Sequence, residues 1–151
     1  MSDQDNDYLK LENFLCFSIY SASHAFNRVY KPLLDALGLT YPQYLVMVTL
    51  WQKDDQPVRS IGEKLFLESS TLTPLLKRLE AAGMVVRTRD PRDERSVRIT
   101  LTEAGWALRE KAKEVPPCVF EASGLDETTA KRMINDLETM RNQLEASVPV
   151  K

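Results

Sequence analysis

The sequence predicts a mainly α-helical fold carrying one small β-hairpin, and three features of residues 65–101 predict it. Leu72, Leu75, Leu76 and Leu79 recur at the i, i+3, i+4, i+7 spacing of a single helix face, and Gly83 stands where such a helix would end. Past Gly83 the period becomes two: Val97, Ile99 and Leu101 alternate with Arg98 and Thr100, and Val85 and Val86 open a partner strand bearing Arg87 and Arg89. The tip between the strands, Asp90-Pro91-Arg92-Asp93-Glu94-Arg95, is too charged to bury and begins with the turn-forming pair Asp-Pro. A helix led by small polar residues and followed at once by an arginine-rich hairpin is a winged helix-turn-helix, a unit shaped to fit a duplex.

The other elements follow along the chain. Residues 1 to 10 read as loose or as a short helix, and the acidic, polar start is unlike a secretion signal, which points to the cytoplasm. From Asn13 to Leu37, Phe14, Phe17, Ala22, Ala25, Phe26, Val29, Leu33 and Leu37 form a broad apolar helical stripe, capped by Asn13, with a kink or break expected at Pro32 and a stop at Gly38. Thr40-x-x-Gln43 is a capping box that opens the next helix, with Pro42 in its first turn and Asp54, Asp55 and Pro57 after its end. A short helix over residues 60–66 turns Ile61 and Leu65 inward and leads by a tight turn to the helix at Ser69, whose first turn Pro74 should make irregular. Beyond the hairpin, Thr102 offers a partial cap for a helix over residues 103–115, which Pro116-Pro117 must break, leaving Cys118 in a mobile stretch. Asp126 caps a last helix in which Met133, Leu137, Met140 and Leu144 make a coiled-coil-like seam.

The 151 residues are consistent with one domain, 1–151, in which residues 42–101 form the winged lobe and residues 1–40 and 103–147 are dimerisation helices. The terminal helices carry more apolar surface than that small lobe can cover, so a homodimer is expected, with two recognition helices set roughly 34 Å apart on a palindromic duplex. No apolar run is long enough to span a membrane. Net charge is −2, which alone argues against nucleic acid, but residues 77–98 hold seven basic side chains against four acidic ones. That local excess of three leaves −5 for the rest, a basic contact surface on an acidic body.

The candidate contact residues are Ser69, Ser70, Thr71, Thr73, Pro74, Lys77 and Arg78 on the second helix of the pair, with Arg92, Asp93 and Arg95 on the wing. Small hydroxyl residues let backbone amides approach phosphates and let a helix sit deep in the major groove; alternatively Ser69 or Ser70 is a plain N-cap. Arg92 and Arg95 suit the negative potential of a minor groove and Asp93 a bracing role, although an isolated turn of this kind is more simply a solvated loop. Cys16, near the start of the first long helix and one turn from Tyr20, sits where the dipole favours thiolate; a lone cysteine between Leu15 and Phe17 is otherwise a small buried hydrophobe. Cysteines this far apart in a reducing compartment make a permanent disulfide unexpected, and a single His24 without clustered thiols offers no metal site. No Gly-rich phosphate loop or hydrolase motif is present, so no cofactor is expected. Trp51 and Trp106 read as core or interface anchors.

The wing resembles that of the MarR family, which carries D-x-R-D-x-R followed by a strand and L-T-x-x-G; here these are Asp90-Pro91-Arg92-Asp93-Glu94-Arg95 and Leu101-Thr102-Glu103-Ala104-Gly105. Phe14-Leu15-Cys16-Phe17 with Tyr20, Tyr30-Lys31-Pro32-Leu33-Leu34, and Gly38-Leu39-Thr40-Tyr41-Pro42-Gln43-Tyr44 are similar to its organic-hydroperoxide-sensing branch. The resemblance spans nearly the whole chain. It implies a homodimeric repressor on a pseudo-palindromic operator, with Cys16 as peroxide sensor and Tyr30 and Tyr41 hydrogen-bonding its sulfur across the dimer. It also implies, as in some members of the branch, that Cys118 is a second thiol able to form a disulfide between subunits. Two other functions remain open on this basis: a repressor released by a phenolic ligand in the dimer crevice, and a thiol peroxidase.

Overall fold

The computed structural model describes residues 7–149. The described residues form two compact units that divide between Pro116 and Pro117. Among the described residues of the first, a short 3-10 turn (Leu11–Asn13) leads into α1 (Leu15–Asp35), α2 (Tyr41–Gln52), β1 (Gln56–Pro57), α3 (Val58–Leu65), α4 (Ser69–Ala81), β2 (Val85–Asp90), β3 (Asp93–Leu101) and α5 (Glu103–Ala112). α6 (Val115–Ser123) begins at the end of this unit, and α7 (Glu127–Ser147) lies in the second. The fold is the mainly helical winged helix-turn-helix expected from the sequence.

Asn13 does not cap α1. It belongs to the 3-10 turn, its side-chain amide donates to the Asp7 carbonyl at 2.8 Å, and Phe14 is the N-cap without a side-chain bond. Cys16 is therefore the second helical residue instead of the third. Pro32 does not break α1, which runs on for three more residues. The helix then closes in a Schellman turn: Leu39 N–H bonds the Leu34 carbonyl at 3.1 Å, Gly38 N–H bonds that of Asp35 at 3.1 Å, and Leu34 and Leu39 are both buried. α2 has the full capping box, with Gln43 N–H on Thr40 Oγ1 at 3.3 Å and Thr40 N–H on Gln43 Oε1 at 3.0 Å.

Two differences from expectation follow from local geometry. α3 starts at Val58, two residues early, because Pro57 supplies an extended N-cap with the fixed φ of proline. Its end is Phe66 in the left-handed region at φ 57. The sheet has three strands in the order β1-β3-β2, since Gln56 and Pro57 pair antiparallel with Ile99 and Arg98; two residues are too few to show any alternation in sequence. α4 is continuous through Pro74 and its first turn is ordinary, with Thr71 and Leu72 N–H sharing the Glu68 carbonyl at 3.0 Å as is common at a helix start. Leu72, Leu76 and Leu79 of α4 are buried with Met47 and Leu50 of α2, Ile61 of α3, and Val85 and Ile99 of the sheet, which makes the core.

The join between recognition helix, wing and α5 is tied at Thr102. Its hydroxyl accepts Gly105 N–H at 3.0 Å, so it is a complete cap, and donates to the Gly83 carbonyl. Gly83, at φ 79, ends α4 in a second Schellman turn, with Met84 N–H on the Leu79 carbonyl at 3.0 Å. The Met84 carbonyl accepts Thr102 N–H and lies only 2.2 Å from where a Cβ on Gly105 would stand, which is why the L-T-x-x-G pattern needs its glycine. Trp51 Nε1 donates to the Gly105 carbonyl at 2.9 Å, anchoring α2 to the same joint.

α5 stops at Ala112, so the expected break falls just before Pro116 and Pro117. They occupy the second and third positions of α6, where proline is tolerated, and so Cys118 stands in a helix and not in a loop. Asp126 caps α7 by accepting Thr129 N–H at 2.7 Å. No residue of α7 is buried; of its seam Met133, Leu137 and Leu144 are exposed and Met140 is half-buried, and Ile134 is exposed as well.

Candidate nucleic-acid interface and thiol site

α4 divides cleanly. Leu72, Leu76 and Leu79 are buried in the core and Leu75 is half-buried, while Ser69, Ser70, Thr71, Pro74, Lys77 and Arg78 are exposed. Thr73 is half-buried and returns its hydroxyl to the Ser69 carbonyl at 2.8 Å. Neither serine is the N-cap: Glu68 holds that position, and Ser69 is already the first helical residue. The hydroxyls and the amides of the first turn therefore lead the helix outward, the geometry that suits a phosphate backbone and groove edges.

The wing tip is the pair Pro91-Arg92, between Asp90 at the end of β2 and Asp93 at the start of β3. Arg92, Asp93 and Arg95 are exposed. Asp93 braces Arg95, but through its backbone N–H at 3.0 Å and not its guanidinium. The principal brace was not foreseen from sequence. Arg98 donates from Nε to Asp55 Oδ1 at 2.8 Å, from Nη2 to the Asp55 carbonyl at 2.8 Å, and from Nη1 to Asp90 Oδ2 at 3.3 Å. Arg92 N–H on Asp90 and then the Arg98 guanidinium hold the Asp90 carboxyl below the usual carboxylate range, and the Asp55 hydrogen bond raises the pKa of Arg98. Nothing in sequence marks Asp55, 43 positions from Arg98, as its partner.

Tyr30 of α1 and Tyr41 of α2 meet with ring centroids 4.8 Å apart, and Tyr44 joins them at 5.9 Å from Tyr30. Burial first, then the neighbouring Tyr41 and Tyr44, push the Tyr30 pKa up to about 12, and burial also raises those of Tyr41 and Tyr44. All three stay protonated at neutral pH and able to donate. The tyrosine pair lines an open groove of about 330 Å³ with Asn27, Leu34, Leu39 and Pro42. Cys16 is exposed and lies elsewhere: fourteen residues separate it from Tyr30 on one continuous helix, a rise of ~21 Å. Tyr20 packs edge-on against His24 at 4.3 Å. Cys118 is exposed in the first turn of α6. Among the described residues no group of three or more acidic, histidine or cysteine side chains could hold a metal, and no helix is long and apolar enough to cross a membrane.

Residues 28–115 match the family described as transcriptional regulator SarA/Rot. The chain is 45% identical over 138 residues to the organic hydroperoxide resistance transcriptional regulator of Bacillus subtilis, covering 91% of this chain and 94% of that protein. The chain belongs to the MarR family. Within it, the chain falls in the branch of the organic hydroperoxide resistance regulator and is a DNA-binding transcriptional regulator, not an enzyme. A MarR-family regulator from Rhodococcus shares the fold at TM-score 0.78 and 25% identity, over 87% of this chain and 95% of that one. AbfR, solved reduced and bound to DNA, superposes at TM-score 0.76 with 38% identity, over 95% of this chain and 99% of that one. Disulfide-formed AbfR, also 38% identical, covers 97% of each chain at TM-score 0.60.

Proposed function

We propose that this MarR-family protein is a cytoplasmic, homodimeric repressor that holds a pseudo-palindromic operator and releases it when an organic hydroperoxide oxidises Cys16. The observation that carries the reading is the separation within one chain of an exposed Cys16 from the paired phenols of Tyr30 and Tyr41, ~21 Å along α1. A hydrogen-bonded thiol site is completed only when a second copy brings its tyrosines to Cys16; Tyr20, one turn away, is the intrachain neighbour. The exposed Leu15, Phe17 and Phe26 of α1 and the α7 seam supply the apolar surface for that pairing.

On DNA, Ser69, Ser70, Thr71, Thr73, Pro74, Lys77 and Arg78 enter the major groove, and Arg92 and Arg95, with Asp93 ordering the strand, reach the adjacent minor groove. In the chemical step the Cys16 thiolate attacks the terminal hydroperoxide oxygen. The O–O bond breaks, the alkoxide leaves and takes a proton as an alcohol, and the sulfur is left as a sulfenic acid. The thiol of Cys118 from the other subunit then attacks that sulfur, expelling water and forming a disulfide. The lower similarity to disulfide-formed AbfR than to reduced, DNA-bound AbfR supports a change of shape on oxidation. The test is binding to a palindromic duplex with and without cumene hydroperoxide. Release should be lost in Cys16→Ser, and the intersubunit crosslink on non-reducing gels lost in Cys118→Ser. Release by peroxide that survives Cys16→Ser overturns the sensor assignment.

The groove beside Tyr30 and Tyr41 favours a second reading, in which a phenolic ligand releases the operator and Cys16 is incidental. Ligand-driven release that persists in Cys16→Ser would select it.

A further inference from the structure

We propose that Asp55 and Arg98 form a brace that sets the position of the wing tip, so that Arg98 is a positioning residue acting on operator recognition through Arg92. The proposal rests on the wing's role in DNA binding stated above. The β ladder does not hold the tip. Pairing runs in register from Val85↔Leu101 to Arg89↔Val97, then slips: Asp90 faces Asp93, where an unbroken ladder would give Ser96. Packing does not hold it either. Pro91 to Arg95 are exposed, and an open cleft of about 290 Å³, lined by Asp55, Asp90, Pro91, Arg92 and Arg98, lies between the turn and the loop joining α2 to β1.

Arg98 bridges that cleft. It grips both the carboxylate and the carbonyl of Asp55 at 2.8 Å, and reaches Asp90 Oδ2 at 3.3 Å. The other Asp90 oxygen accepts Arg92 N–H at 2.9 Å, so the position of the tip arginine is set through Asp90 by Arg98. The loop is itself fixed to the base of β3, where Asp54 Oδ1 accepts Leu101 N–H at 2.8 Å. Asp55 stands at φ 54, a left-handed conformation that aspartate tolerates better than most residues and that presents both of its oxygen acceptors to one guanidinium. Three of the five Arg98 donors are committed within the chain, and the side chain is 30% exposed, so it is poorly placed to serve as a phosphate contact. Lysine keeps the charge but lacks the planar fork that makes two bonds to Asp55 and a third to Asp90.

A double-mutant cycle on operator affinity tests this, using the full-length reduced protein with Arg92→Ala, Arg98→Lys, Asp55→Asn and the doubles with Arg92→Ala. Arg98→Lys should weaken binding about tenfold alone and less than twofold in the Arg92→Ala background. Asp55→Asn, which opens the brace from outside the wing, should show the same dependence on Arg92. Multiplicative losses, or no loss in Arg98→Lys, overturn the brace while leaving the wing's role in DNA binding intact. An Arg92→Ala protein that binds like the unaltered one overturns both together.

Discussion

Replacing Thr102 by valine preserves shape and β-branching and removes one hydroxyl, which the structure shows making two bonds at once. As N-cap of α5 the oxygen accepts Gly105 N–H at 3.0 Å, and as donor it satisfies the Gly83 carbonyl at the end of α4. Loss of a threonine cap costs about 1 kcal/mol. Gly83 is exposed and Thr102 half-exposed, so water replaces part of the second bond, and its loss adds roughly 0.5 kcal/mol. The sum, about 1.5 kcal/mol, lowers Tm by roughly 3–6 °C for a chain of this size. In urea, with a slope of about 2 kcal/mol per molar, the midpoint falls by ~0.7 M. Thr102→Ser keeps both bonds and should stay within about 0.5 kcal/mol of the unaltered protein. Paired urea titrations of the two variants check this. A valine variant as stable as the unaltered protein, or a serine variant as damaged as the valine one, would refute the two-bond account.

Gly105→Ala should be more severe than the loss of the cap, because the new Cβ would stand 2.2 Å from the Met84 carbonyl and must open the joint that Trp51 also bonds; lower Tm together with altered tryptophan emission is the expected result. Alkaline unfolding should report Tyr30. Its pKa of about 12 in the folded chain exceeds the ordinary value of 10, so the unfolded state loses its proton first. The stability this represents is complete below pH 10 and is lost as pH rises toward 12. Tyr30→Phe should flatten stability against pH across that window, and a curve unchanged by the substitution would sink the assignment.

Much of the fold was legible because it is written in local patterns. The leucine spacing of α4, the alternation in β3, and the Thr40-Gln43 and Asp126 caps each depend on residues within one or two turns of one another. Errors arose where a local signal had two outcomes. Asn13 can cap a helix or serve a preceding turn, and its bond to Asp7 selected the turn. Pro116-Pro117 can break one helix or begin the next, and here they do both, since α5 stops at Ala112 and α6 starts at Val115. Of the candidate site, the residue types and their helix faces were readable. The Arg98 brace was not, because a basic residue on a wing strand looks the same in sequence whether it faces DNA or an aspartate 43 positions away.

The sequence by itself determined the helix-turn-helix, the wing and the family, since periodicity, capping and motif spacing are properties of neighbouring residues. Tertiary structure decided which groups meet. It placed Tyr30 against Tyr41 and Tyr44 across two helices, kept Cys16 apart from them along a single continuous α1, and joined Asp55, Arg98 and Asp90. The physical reason is range. Hydrophobic period and backbone capping act within a few residues, whereas a directional hydrogen bond or a desolvated phenol depends on chain segments that only the packed core brings together.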